Sequence, residues 1–221
     1  EGEGRVILVD AGSGPHFDPA TGRLEDALWE AGLHVDDVTD LILTHGHPDH
    51  LWGALDDFEE FARFPNARHF MTASERDFWV GPTPSGAPSF HTTMATGAQR
   101  VLGELAEIIE PVPSDFNISP DINLVPTPGH TPGHVAVRIE SGGDSLLVVG
   151  DALTNARISF ARPDWPVATD TNQDEAIATR RRLLDMLALD QSLIVGFHLP
   201  WPGKGRVVRT GDGFAFASDE N

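Results

Sequence analysis

Short apolar runs alternate with amphipathic stretches along this chain, which is the pattern of an α/β (α+β) domain whose sheets are covered by helices. Runs rich in β-branched and aliphatic residues predict strands at 5–9, 40–43, 67–72, 122–126, 134–139, 145–149, 192–196, 206–209 and 214–217. Between them, Leu24, Ala27, Leu28 and Ala31 recur at helical spacing and stop at Gly32, a residue suited to closing a helix. Ser74 opens another short helix, and longer amphipathic helices are expected over 94–107 and 173–189. In the latter, Ile177, Leu184 and Leu187 share one side, and Arg180 and Arg181 are assigned to a solvated face. Glycine-bearing turns at 141–144 and 211–213 predict hairpins, whereas 81–88 is too rich in proline and glycine for regular structure and reads as a surface loop.

The length of 221 residues, 40% of them hydrophobic, fits a single domain over 1–221. The tetrapeptide Glu1-Gly2-Glu3-Gly4 stands directly before the first strand and reads as a turn whose other arm is missing, so the natural protein is expected to begin earlier. A formal charge of -19 repels phosphate backbones and anionic lipid surfaces, which argues against nucleic acid and membrane partners and for a small-molecule substrate. The absence of cysteine excludes disulfides, iron–sulfur clusters and thiolate zinc sites. No stretch is long and apolar enough to span a bilayer, and no signal peptide lies in these residues. These features do not fix the compartment, which is cytoplasmic, or periplasmic or secreted if a leader precedes residue 1, and a homodimer is among the assemblies open to the chain.

The chemistry is concentrated after the apolar run Leu41-Ile42-Leu43, in Thr44-His45-Gly46-His47-Pro48-Asp49-His50. Imidazole nitrogen and carboxylate oxygen are ligands for zinc and similar divalent ions, and two histidines at i, i+2 in a tight loop can converge on one ion. The adjacent Asp49-His50 pair suggests a second ion. Downstream, Pro128-Gly129-His130-Thr131-Pro132-Gly133-His134 adds two imidazoles, of which His130 at the loop apex is favoured as ligand and His134 as its structural support. Strands then end at Asp151, in Val148-Val149-Gly150-Asp151, and at His198, in Gly196-Phe197-His198. With a bridging hydroxide, these seven donors supply most of the positions two ions require.

This order of motifs, His-x-His-x-Asp-His, a Gly-His loop, Gly-Asp and a late strand-end His, resembles the metallo-β-lactamase superfamily over nearly the whole chain. The resemblance implies an αββα sandwich of two mixed sheets flanked by helices. Asp10, in Leu8-Val9-Asp10-Ala11-Gly12, matches the superfamily's early strand-Asp-x-Gly landmark. It further implies that His45, His47 and His130 hold one metal, that Asp49, His50 and His198 hold a second, and that Asp151 bridges them. The metals would be two Zn2+, with Mn2+, Fe2+ or Co2+ as substitutes.

Among the branches, Asp49-His50-Leu51-Trp52-Gly53, Gly150-Asp151-Ala152-Leu153 and Phe197-His198-Leu199-Pro200-Trp201-Pro202-Gly203 look like the lactonase and methyl parathion hydrolase-like group. That likeness implies a hydrolase for lactone, ester or organophosphate bonds, with Asp49 or Asp151 passing a proton to the leaving group. Some lactonases place a tyrosine near the bridging aspartate, and this chain has no Tyr. The alternatives are β-lactamase activity and a mononuclear-iron redox enzyme resembling persulfide dioxygenases. Thr44 and His134 are expected to support ligands from behind. Trp52, Phe160, Trp165, Leu199 and Trp201 are the candidates for a substrate pocket, with Arg157 or Arg162 reaching a polar substituent.

Overall fold

The structure, a computed structural model, describes residues 4–15, 17–18, 20–56, 61–83 and 89–219. Residues 1–3, where a turn is expected, and 84–88, within the expected proline-rich loop, lie outside that description. Two compact units divide the chain, the first ending at Val112 and the second starting at Pro113.

In the first unit, β1 (Ile7–Val9), β2 (Asp40–Ile42), β3 (Arg68–Thr72) and β4 (Ile109–Val112) form a sheet in that order, every neighbouring pair parallel. Parallel neighbours need a crossover to return the chain. Those crossovers carry α1 (Leu24–Glu30), α2 (Pro48–Leu51), α3 (Ala73–Val80) and α4 (Ser89–Glu104). Leu41, Leu43 and Met71 from the sheet region join Leu28, Leu51, Trp79, Ala98 and Val101 from the helices in one buried cluster. Ile42, between Leu41 and Leu43, is buried on the other face of the sheet, as the two-residue period of a strand requires.

At the start of β2, buried Asp40 receives Arg5 Nε and Arg68 Nε at 3.0 Å each and the Thr39 hydroxyl at 2.8 Å. Burial pushes its carboxyl up, but the hydrogen bonds from Thr39, Arg5 and Arg68 outweigh it and hold the carboxyl below its ordinary value. A carboxyl whose folded value is depressed stabilises the fold above its unfolded pKa, and that contribution is lost as pH falls through the folded value. Asp40→Asn is therefore expected to lower stability by about 1–2 kcal/mol at neutral pH. Urea titrations should show the gap between the two proteins closing below about pH 4.

The second unit holds a seven-stranded sheet made from β5 (Asn117–Ser119), β6 (Ile122–Pro126), β7 (Val135–Ser141), β8 (Asp144–Val148), β9 (Leu193–Val195), β10 (Lys204–Thr210) and β11 (Gly213–Ser218). Its order is β11-β10-β9-β8-β7-β6-β5, antiparallel except between β8 and β9. That one parallel pair is bridged by α5 (Ile158–Ala161) and the long α6 (Gln173–Asp190), which buries Leu183, Leu184 and Leu187 with Leu147, Val149, Ile194 and Val207. Gly142 and Gly143 make the β7–β8 turn with φ of 60° and 93°, the left-handed pair that a two-residue hairpin demands.

All nine expected strands are present, 122–126 with the bounds expected and the others with shifted ends, and two more appear. β4 contains Pro111, which cannot donate to a ladder and so hides a strand at the edge of the described sheet; β5 is three residues long. α4 starts at Ser89 and ends at Glu104, earlier at both ends than the apolar period indicates. The expectation for Arg180 is corrected. Arg180 is 3% exposed and paired with Asp170, whereas its neighbour Arg181 is solvated.

Candidate metal centre

Every donor lies just past the carboxyl end of a strand: His45 to His50 after β2, His130 after β6, Asp151 after β8 and His198 after β9. Loops there are fixed at one end by a sheet and are free to project side chains, which is why ligand sites of layered α/β proteins collect at these ends.

Within the first unit the hub is Asp10, which takes up a left-handed conformation (φ 62°) directly after β1. Its Oδ1 accepts the Thr44 amide at 2.7 Å, and its Oδ2 accepts the Thr44 hydroxyl at 2.8 Å and His50 Nδ1 at 2.7 Å. The proton logic follows from these contacts. Because the Thr44 hydroxyl spends its one proton on Asp10, it accepts from His45 Nδ1 at 3.0 Å, and His45 Nε2 is left as the lone-pair nitrogen. His45 Nε2 lies 3.0 Å from His47 Nδ1. Two nitrogens on one tetrahedral zinc are about 3.3 Å apart, so the pair is spaced as ligands of a single ion. His50, whose Nδ1 is committed to Asp10, turns Nε2 toward Asp49 Oδ2 at 3.5 Å. Asp10, His45 and His50 together offer ligand atoms within 4.8 Å of one another.

Fully buried Glu75, on α3, shapes the same loop. Its Oε1 accepts the Gly46 amide at 2.9 Å and Trp79 Nε1 at 2.6 Å, and the Trp79 ring stands edge-on to His47 with centroids 5.4 Å apart. A Cβ at position 46 would lie 2.4 Å from the indole, so the loop follows this path only with glycine there.

In the second unit one carboxylate faces two imidazoles. Asp151 Oδ2 is 3.4 Å from His130 Nε2, and its Oδ1 is 3.2 Å from His198 Nε2. The Asp151 amide donates to His134 Nε2 at 2.9 Å, so His134 is a neutral ring protonated at Nδ1, where it meets the Thr127 hydroxyl at 2.8 Å. His130 Nδ1 is held by Asp170 Oδ1 at 2.9 Å. Burial pushes the His130 imidazole down, yet the hydrogen bonds and charges of Asp151 and Asp170 prevail and raise it above its ordinary value. Bound metal would compete with that proton.

The pocket candidates separate by position. Phe160 is corrected: it is fully buried, its ring 5.6 Å from that of Phe216, and is a core residue. Leu199 belongs to the same core, packed against Gly196 and Val149. Trp165 and Trp201 are exposed, while Trp52 is half-buried over Gly97 and edge-on to Phe17. Arg157 and Arg162 are both exposed. Glu75, Asp170 and Arg180 have no motif of their own. The signal that points to them is the requirement that a ligating histidine pass its other N–H to a carboxylate or carbonyl, or be held by a packed neighbour.

The first unit thus carries a His/Asp group of the type that can hold a divalent metal, and the second sets Asp151 against two imidazoles. Comparison with known proteins identifies the family. Residues 1–198 match the model of the metallo-beta-lactamase superfamily. "Probable metallo-hydrolase YybB" of Bacillus subtilis is 27% identical over 169 residues, covering 76% of this chain and 66% of that protein. "Probable metallo-hydrolase Rv2300c" of Mycobacterium tuberculosis is 32% identical over 221 residues, with 87% and 66% covered. The chain spans just under two thirds of the length of these two relatives. Among solved structures, AidC, described as a dizinc quorum-quenching lactonase, superposes with a TM-score of 0.94 at 31% identity over 100% of this chain and 78% of that one. With two helix-flanked sheets, the strand-end donors and these matches, the chain belongs to the metallo-β-lactamase superfamily.

Proposed function

We propose that the chain is a dinuclear metal-dependent hydrolase that opens lactone and ester bonds, with phosphotriesters as a secondary class. The observation that carries the reading is the likeness to the dizinc lactonase AidC, which extends over the full length of this chain. The family pattern assigns His45, His47 and His130 to one ion, Asp49, His50 and His198 to a second, and Asp151 to both. The donor chemistry supports this: His45 Nε2 and His47 Nδ1 are spaced as ligands of one ion, and the two Asp151 oxygens each face a different imidazole.

When bound, divalent ions supply a water acidified to a pKa of about 7 and polarise the electrophilic oxygen of the substrate. The chain's own residues do the rest. Asp10, Thr44 and Asp170 hold the imidazoles with Nδ1 protonated and Nε2 turned inward. Asp49, only partly buried, is the carboxylate we assign to carry a proton to a departing alkoxide, and His134 accepts the Asp151 amide.

The test is metal analysis together with a panel of lactones, aryl esters, phosphotriesters and β-lactams, run on zinc-loaded protein. Two metals per chain with lactone or ester turnover is the expected result. Turnover confined to β-lactams, or one iron per chain with oxygen uptake, would replace this reading.

A further inference from the structure

We infer that Arg180 is a positioning residue that clasps the loop between α5 and α6 and, through the same guanidinium, sets the orientation of His130. The inference rests on the reading of His130 as a metal ligand.

The observation is one buried cation engaging both ends of a loop. Arg180 Nη2 donates to Asp170 Oδ2 at 3.0 Å, while Nη1 donates to the carbonyls of Pro163 at 2.9 Å and Trp165 at 3.1 Å. Asp170 uses its other oxygen to hold His130 Nδ1 at 2.9 Å. The loop is also tied to the ligand's own backbone. The Thr171 amide and hydroxyl both donate to the His130 carbonyl, at 2.9 and 2.8 Å, and the Asn172 amide donates to the Gly129 carbonyl at 2.9 Å. Trp165, held by its carbonyl, is 52% exposed and lines a cleft of about 510 Å³ with Arg162, Arg181 and Arg209. The ligand and the wall of this cleft therefore share a single anchor.

Simple neutralisation of Asp170 would need only one arm of the guanidinium. The second arm, given to two neutral carbonyls, replaces water that the buried cation has lost and by the same bonds fixes where residues 163–165 lie. A planar fork reaches acceptors on two sides, which the single ammonium of lysine cannot do.

Arg180→Met is expected to weaken cobalt(II) binding about 10–100-fold in competition with a chelator, the usual cost of losing a partner behind a ligating histidine. The visible spectrum of the cobalt-loaded chain should shift, because the ligand field at His130 changes. Amide hydrogen exchange across 163–170 should rise at least about tenfold in the metal-free protein. Arg180→Lys keeps a positive charge beside Asp170 but lacks the second arm, so it should restore most of the cobalt affinity and leave the loop fast-exchanging. It also carries the test if the methionine variant does not fold.

An unchanged cobalt affinity and spectrum in R180M would overturn the inference, as would a lysine variant whose loop exchanges like wild type. Wild-type chain that takes up no cobalt would remove the ligand reading itself, and with it the coupling. The exchange data distinguish that failure, because loop protection is measured without metal.

Discussion

Asp151→Ala is expected to abolish metal-dependent hydrolysis and to leave a folded chain with reduced metal content. The side chain is almost fully buried, its two oxygens each face a different histidine, and its amide is held by His134. Removing it deletes the proposed shared ligand and one of two carboxylates able to move a proton. Loss of proton handling alone is worth on the order of 10²–10⁴ in rate. Loss of the second ion adds to that. The backbone bond from residue 151 to His134 remains possible with alanine, so circular dichroism and the thermal midpoint of the metal-free chain should change little. The decisive check pairs turnover with metals per chain: a double variant lacking His45 and Asp151 that binds no metal yet still hydrolyses lactones would end the proposed mechanism.

Gly129→Ala is expected to be among the most destabilising single-methyl additions in the ligand loops. Gly129 has φ of +119°, where L side chains are strained, and a Cβ there would lie 2.2 Å from the Ala176 amide nitrogen and 2.5 Å from its Cα. Both obstructing atoms are backbone of the first turn of α6, so no rotamer change relieves the clash. Strain and overpacking together predict a loss of roughly 3–5 kcal/mol. Because the Gly129 carbonyl also accepts the Asn172 amide, any shift is passed to His130, and metal affinity should fall with stability. Gly142→Ala is the matched control. That residue also has positive φ (60°), but nothing lies within 4 Å of its Cβ position, so it should cost only about 1–2 kcal/mol. Urea midpoints for the two variants check the difference, and equal losses would mean that the clash is not felt.

The sequence is most legible where a periodic or chemical pattern is local. The β2 strand and its donor loop together occupy residues 40–50, and the hairpin at 141–144 needs only its two glycines. The helix at 173–189 is likewise visible from its apolar side. What escapes is whatever depends on a partner far along the chain. Arg180 sits among charged neighbours and reads as solvated; only the placement of Asp170 and the carbonyls at 163 and 165 makes its burial tolerable. Glu75 looks like an ordinary first-turn acid, yet it holds Gly46, 29 residues away. Phe160 carries the same apolar label as Trp165, and only packing separates a core ring from an exposed one. Pro111 conceals β4 because the residue least suited to a ladder stands where the described sheet ends.

Asp10 has a consequence for the order in which the protein matures. Its three hydrogen bonds orient His50 directly and His45 through Thr44, all by contacts between parts of the chain itself. The aim of these two imidazoles in the first loop is therefore backed by hydrogen bonds within the chain itself. On the reading of these imidazoles as metal ligands, folding and loading are separable steps, and the metal available at the time of loading, rather than the one present during synthesis, decides which ion is taken up.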